Sequence, residues 1–186
     1  MKTIKSVLGD LVYRPYGIAE CGAHSRILMP RRLRGRQYLH LGESVVIDGH
    51  GWIEAIRRYR DAVYTPDITI GAYTTIGRHV TMTAIESIRI GQGCLLSEGV
   101  YISDHGHDID RIDRKPLAHR PLVALGRVSI GEFSFIGFRA CIMPGVELGA
   151  HSVVGAHSVV TRSFPAGSVV AGSPARLLRT LQADKT

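Results

Sequence analysis

A six-residue period limits what this chain can fold into more than any other feature of its sequence. From Ile130 an aliphatic side chain recurs at Ile136, Ile142, Leu148, Val154 and Val160 without a gap, and Gly131, Gly137, Gly149 and Gly155 directly follow four of these positions. Ser134, Ala140, Val146, Ser152 and Ser158 stand four residues after the first five, all of them small or β-branched, and Phe164 takes the sixth such place. Ile70, Ile76 and Met82 keep the same step, and Ile90, Leu96 and Ile102 resume it after a two-residue slip at Ile85 to Ser87. The small residue and the next aliphatic are two apart, so in a short strand both point to one side, the core. The intervening Gly and His residues must turn a corner, because they tolerate positive φ better than β-branched types do. Turning a third of a circle per hexapeptide gives a three-sided parallel coil of about 18 residues, with coils stacked roughly 4.8 Å apart. The period therefore predicts an all-β fold, a parallel β-helix.

The period also divides the chain. Its 186 residues fit a single domain, 1–186. Coils are expected over 18–103, irregular before 68, where Arg31–Arg36 and Arg57–Arg60 read as loops, and again over 126–171. Residues 104–125, with two histidines at the start, two prolines and many charges, cannot hold the coil rule and must loop out. The tail, 172–186, reads as a short helix capped by Ser173 with Pro174 at its first position, Leu177, Leu178 and Leu181 sharing a side.

Composition agrees with a folded β protein: 45% of residues are apolar, only 6% aromatic, and glycines number 21. The net charge of +7 suits a phosphate-bearing ligand, an anionic membrane face or nucleic acid, and does not choose among them. Cys21, Cys94 and Cys141 are odd in number and widely spaced, which suggests neither a disulfide framework nor a zinc ribbon and points to a reducing compartment. Near the amino terminus only Ser6–Gly9 separates Lys5 from Asp10, too short an apolar run for a signal peptide or a spanning helix, so a cytoplasmic protein is expected.

The strings "IGAYTTIGRHV", "IGEFSFIGFRACIMPGVELGAHSVVGAHSVVT" and "AGSPARLLR" resemble the hexapeptide-repeat acyltransferases over most of the chain. "VYISDHGHD", followed by a charged loop and "PLVALGRVSIG", is most similar to the maltose and galactoside O-acetyltransferases, and to the exopolysaccharide and O-antigen O-acetyltransferases of that group. The resemblance implies a left-handed parallel β-helix, a homotrimer, acetyl-CoA as donor and a sugar or glycan hydroxyl as acceptor. The hand is not derivable from spacing, since the usual crossover rule favours the right-handed sense.

Acetyl transfer to a hydroxyl needs a base, and histidine suits that role near neutral pH. The resemblance, aligned on Val100, places the base at His107, with His105 as the alternative. Asp104 or Glu98 would orient the ring, against the plainer reading of each as a solvated loop acid. For the donor, the resemblance carries over onto Gly155 and Ala156, a small corner for the pantetheine arm, and onto Thr161, Arg162, Arg176 and Arg179. The last two lie three apart in the expected helix and so share a face for CoA phosphates. The plainer reading is a basic solvated helix end. Phe135 stands where relatives usually carry Trp, and Phe138 where they carry something small, which leaves the size of the acyl chain open. Cys94 and Cys141, at or beside inward small positions, read as packing rather than nucleophiles.

Two other classes compete. A γ-class carbonic anhydrase uses the same coil but needs a histidine pair five apart plus a third from an adjacent coil, and no two histidines here are five apart. No metal is therefore expected. A non-catalytic trimeric scaffold would have no reason to interrupt its coil with "SDHGHD". Nucleic acid is not expected as a partner, because the basic residues lack interleaved aromatics and no helix-turn-helix, finger or RNA-binding signature occurs. The run Arg31–Arg36 would suit the inner membrane surface, where lipid-linked sugars are assembled, or a soluble basic loop.

Overall fold

The computed structural model describes residues 17–110, 112 and 114–182. The amino-terminal run at Ser6–Gly9 and the last four residues of the expected tail lie outside them. The chain winds into a left-handed parallel β-helix with three faces, which hold six, eight and six strands among the described residues. The third face is Arg32–Arg34, Trp52–Ala55, Thr81–Ala84, Tyr101–Ser103, Cys141–Ile142 and Val159–Val160, stacked in that order.

The hexapeptide aliphatics form in-register columns inside the prism. Ile70 pairs with Ile90, then Ile130, then Leu148, and Phe164 closes the column by a bridge to Leu148. Met82, Ile102, Ile142 and Val160 do the same on the third face. All are buried. The small inward residues sit at the turns and satisfy backbone groups that the coil leaves unpaired: Ser134 Oγ accepts from Ser152 N at 3.1 Å, and Ser158 Oγ from Gly172 N at 3.1 Å. The corners carry the positive φ values expected of them, at His24, His50, His79, His151 and His157 among others. His50 and His79 stack ring on ring across adjacent coils at 5.3 Å, so these histidines fill corners.

Three local expectations are corrected. Arg32–Arg34 is a strand of the third face rather than a loop, in register with Trp52–Glu54. The coils before residue 68 are regular, paired strand for strand with those that follow, and their interruption is a small antiparallel excursion, Arg58–Tyr59 against Ala62–Val63. The tail is a strand, Ala175–Thr180, antiparallel to Ser168–Gly172, and no helix forms at Ser173. The reason is the open edge of the last coil: its unpaired amides and carbonyls gain a partner from a returning strand, which a helix could not supply.

Candidate functional site

The slip at residues 85–87 creates the site. That coil carries two extra residues, and the turn they make aims three consecutive backbone amides at one point. Asp104, one coil further on, fills it: its carboxylate accepts from Ile85 N (3.0 and 3.2 Å), Glu86 N (2.8 Å) and Ser87 N (2.8 Å). Asp104 is fully buried. Burial pushes its pKa up, but the hydrogen bonds from His105 and from the Ile85 and Glu86 amides, with the attraction of the His105 ring, outweigh it and hold the carboxyl below the usual range.

His105 Nδ1 lies 2.8 Å from Asp104 Oδ1. An ionised carboxylate can only accept, so Nδ1 carries a proton, and the lone pair of the neutral ring falls on Nε2. Ser103, itself buried, accepts from His105 N at 3.3 Å and donates to His105 O at 3.0 Å, fixing the backbone on the other side. The chain leaves the coil here. His105–His107 pairs antiparallel with Leu122–Ala124, and Leu125 N donates to Asp104 O at 3.0 Å, closing the excursion at its neck.

His107 is two residues along the same strand, so its ring projects to the same side as that of His105. Both line a groove of about 510 Å³ on the outside of the third face. The His107 ring meets Tyr59 edge-on at 5.7 Å and is exposed. Glu98 stands instead near His79, at 3.9 Å. Arg32, Arg34, Trp52, Glu54 and Arg58 also line the groove, with Thr81, Thr83 and Tyr101. Sequence reasoning did not find these wall residues; the only signal was the alternation of Arg32 and Arg34 with Leu33, which is strand-like.

The excursion of residues 104–125 rests on the earlier one. Tyr64 Oη donates to Leu122 O at 3.0 Å and accepts from Leu122 N at 2.9 Å, and Tyr59 Oη donates to Ala118 O at 3.0 Å. Two insertions whose contacts span 58 residues or more of sequence thus brace one another beside His105.

The expected donor residues lie at the carboxy-terminal end of the prism. Gly155 and Ala156 turn the corner between the second and third faces. A Cβ on Gly155 would come within 2.9 Å of Ala171 Cβ, so the stacking of the last coil also requires glycine here. Ala171 is the cross-strand partner of Arg176, which brings Arg176 next to that corner. Thr161 and Arg162 follow the third-face strand and are exposed, the Arg162 guanidinium 5.2 Å from the Phe164 ring. Arg176 and Arg179 pair with Ala171 and Val169, and a bulge between them restores the parity that an odd spacing would break, so both face outward without a helix. Phe138 packs edge-on against His157 at 5.3 Å, with Arg139 over its ring. The Cys94 thiol, buried within the prism, lies 3.2 Å from Gly131 O, and burial pushes its pKa up, as it does for Cys141. Among the described residues no three His, Cys, Asp or Glu side chains converge as a metal-ligand set, and no helix is long and apolar enough to cross a membrane.

The coil and its repeats are those of a hexapeptide-repeat β-helix fold, and sequence comparison finds family models of such repeats in two parts of the chain. The bacterial transferase hexapeptide model matches residues 127–162, and the hexapeptide repeat of succinyl-transferase matches 67–104. The chain is 34% identical over 110 residues to the putative lipopolysaccharide biosynthesis O-acetyl transferase WbbJ of Escherichia coli, covering 56% of each chain. The match thus spans little more than half of that relative. It is 28% identical to the galactoside O-acetyltransferase of the same organism, over 82% of this chain and 71% of the other. Among solved structures it is similar to AntD, an N-acyltransferase from Bacillus cereus in complex with dTDP and 3-hydroxybutyryl-CoA, with a TM-score of 0.73 and 19% identity over 96% of this chain and 88% of that one. That likeness carries the fold.

Proposed function

We propose that the chain is an acyltransferase that moves an acetyl group from acetyl-CoA to a sugar hydroxyl, with His105 as the general base. The observation that carries this reading is the Asp104–His105 pair: a buried carboxylate fixes the tautomer of an imidazole that lines the groove. In the reaction, Nε2 takes the proton of the acceptor hydroxyl as its oxygen attacks the thioester carbonyl. The tetrahedral intermediate collapses with cleavage of the C–S bond, and the imidazolium returns the proton to the departing thiolate. Nδ1–H stays on Asp104 throughout and steadies the imidazolium charge. The preference between the two loop histidines thus passes from His107 to His105, because His107 meets an aromatic edge where His105 meets a carboxylate. His107 and Tyr59 are assigned to contact the acceptor.

Acetyl-CoA would bind with its pantetheine arm along the outside of the third face and its phosphates toward Arg162, Arg176 and Arg179, all exposed. Using that donor places the proposed reaction in the cytoplasm. The hexapeptide-repeat relatives named for lipopolysaccharide and galactoside acetylation support a carbohydrate acceptor. A trimer is part of the proposal, seated on the exposed apolar residues of the second face.

Incubation of candidate glycans with acetyl-CoA, read by mass spectrometry, tests the reading. His105→Ala should lower kcat by about 10²- to 10⁴-fold. His107→Ala should act mainly on the KM of the acceptor. Full turnover in both single variants would remove a histidine base.

A further inference from the structure

The groove beside His105 has a charge pattern that a neutral sugar does not require. Three arginines, Arg32, Arg34 and Arg58, line it against a single carboxylate, Glu54. That carboxylate is already committed. Arg32 Nη2 donates to Glu54 Oε1 at 3.1 Å, Arg32 Nε lies 2.8 Å from Oε2, and Trp52 Nε1 donates to Oε2 at 2.9 Å. Arg32 is further held over the Trp52 ring, 4.9 Å from its centroid, with Arg31 at 5.2 Å. Glu54 therefore organises one guanidinium and neutralises it, while Arg34 and Arg58 are exposed and have no ion-pair partner among the described residues. Two arginines on separate elements, a coil strand and the Arg58–Tyr59 excursion, line one groove whose single carboxylate is already paired with Arg32. Such a pair matches a dianion with several acceptor oxygens.

We propose that the acceptor is a sugar bearing a phosphate or diphosphate group, with Arg34 and Arg58 gripping that group while the sugar hydroxyl reaches His105. The inference rests on the acyl-transfer reading of the same groove and narrows its substrate. A free neutral glycoside would leave both guanidiniums without a use, whereas a phosphate anchors the sugar and lets the arginines set its reach to the base.

Trp52 is the chain's single tryptophan, and its ring touches the arginine cluster, so its emission reports occupation of the groove in the whole protein. Glucose 1-phosphate and UDP-glucose should each give a saturable change, methyl glucoside none at equal concentration. Arg34→Gln with Arg58→Gln should raise the half-saturating concentration of the phosphorylated ligands by about 10-fold or more. Both side chains are exposed, so the unliganded emission of the double variant should match the wild type. The inference is overturned if methyl glucoside binds as well as the phosphorylated sugars, or if the double variant binds them unchanged. It is equally overturned if only phosphatidylglycerol vesicles shift Trp52, since the arginines would then read a lipid surface. Binding is measured without acetyl-CoA. Acetyl transfer confined to neutral glycosides would thus defeat the phosphate inference alone, and phosphate binding without transfer to any acceptor would defeat the enzyme reading alone.

Discussion

Asp104 accepts four hydrogen bonds with no solvent access, and this makes its charge a structural element as well as a part of the proposed site. Its folded carboxyl lies below the usual range: burial alone would raise it, and the bonds from His105 and the amides more than offset that. A group depressed in this way stabilises the fold fully above its unfolded value of about 3.9 and loses that contribution as pH falls through the folded value. Asp104→Asn keeps the shape, but its amide turns a donor toward amides that also donate, so a loss of about 2–4 kcal/mol is expected at pH 7. Urea unfolding at pH 7 and pH 3 checks the sign, because the gap between wild type and variant should narrow in acid. An equal gap at both pH values would mean that the carboxylate's ionisation is not what the turn holds. The sequence made the slip at 85–87 visible as a break in a period, and Asp104 as a loop acid, yet nothing in it linked the two. They are 17 to 19 residues apart, and only the winding of one coil over the next sets amides against carboxylate. For the same reason the sequence offered two loop histidines two residues apart but could not say which ring would find a partner.

At the scale of elements, the core was legible and the ends were not. Three aliphatic columns, one per face, follow from a period of six, because burial inside the prism leaves no alternative to the pattern. The tail misleads because "GSPARLLRTLQ" carries genuine helix-start signals, which lose to the unpaired edge of the strand Ser168–Gly172. The strand keeps Arg176 and Arg179 on one outward face through its bulge, so their proposed grip on CoA phosphates survives the change of secondary structure. Replacing both with Gln should raise the KM for acetyl-CoA about 10-fold, as expected for the loss of a charge-assisted contact, and leave the acceptor KM in place. The double variant should also lose any preference for acetyl-CoA over its 3′-dephospho form. An unchanged preference would assign the arginines to solvent.

For the whole molecule, the second face carries large apolar side chains in the open. On the second face Leu95 and Phe135 lie side by side in register, 47% and 40% exposed, and Tyr73 and Phe133 extend the apolar patch around the adjoining corner. Side chains of this size, contiguous and rigidly mounted on a coil, gain most by covering one another in a second copy of the same prism. The proposed trimer predicts a solution mass three times the 20.3 kDa of the chain. Leu95→Glu with Phe135→Glu places two carboxylates on each subunit's side of that contact and should yield the single-chain mass by light scattering. The inward columns end at neighbouring positions and are untouched, so circular dichroism should keep its β signature. Turnover of the dissociated chain then locates the proposed site. Activity retained by the monomer would mean that the base groove and the donor residues near Gly155 work within one prism. Activity lost on dissociation, and regained when His105→Ala chains are mixed with Arg176→Gln/Arg179→Gln chains in the trimeric background, would mean that one copy supplies the imidazole and its neighbour the grip on the cofactor. The trimer itself fails as a proposal if the unaltered chain already runs as a monomer at micromolar concentration.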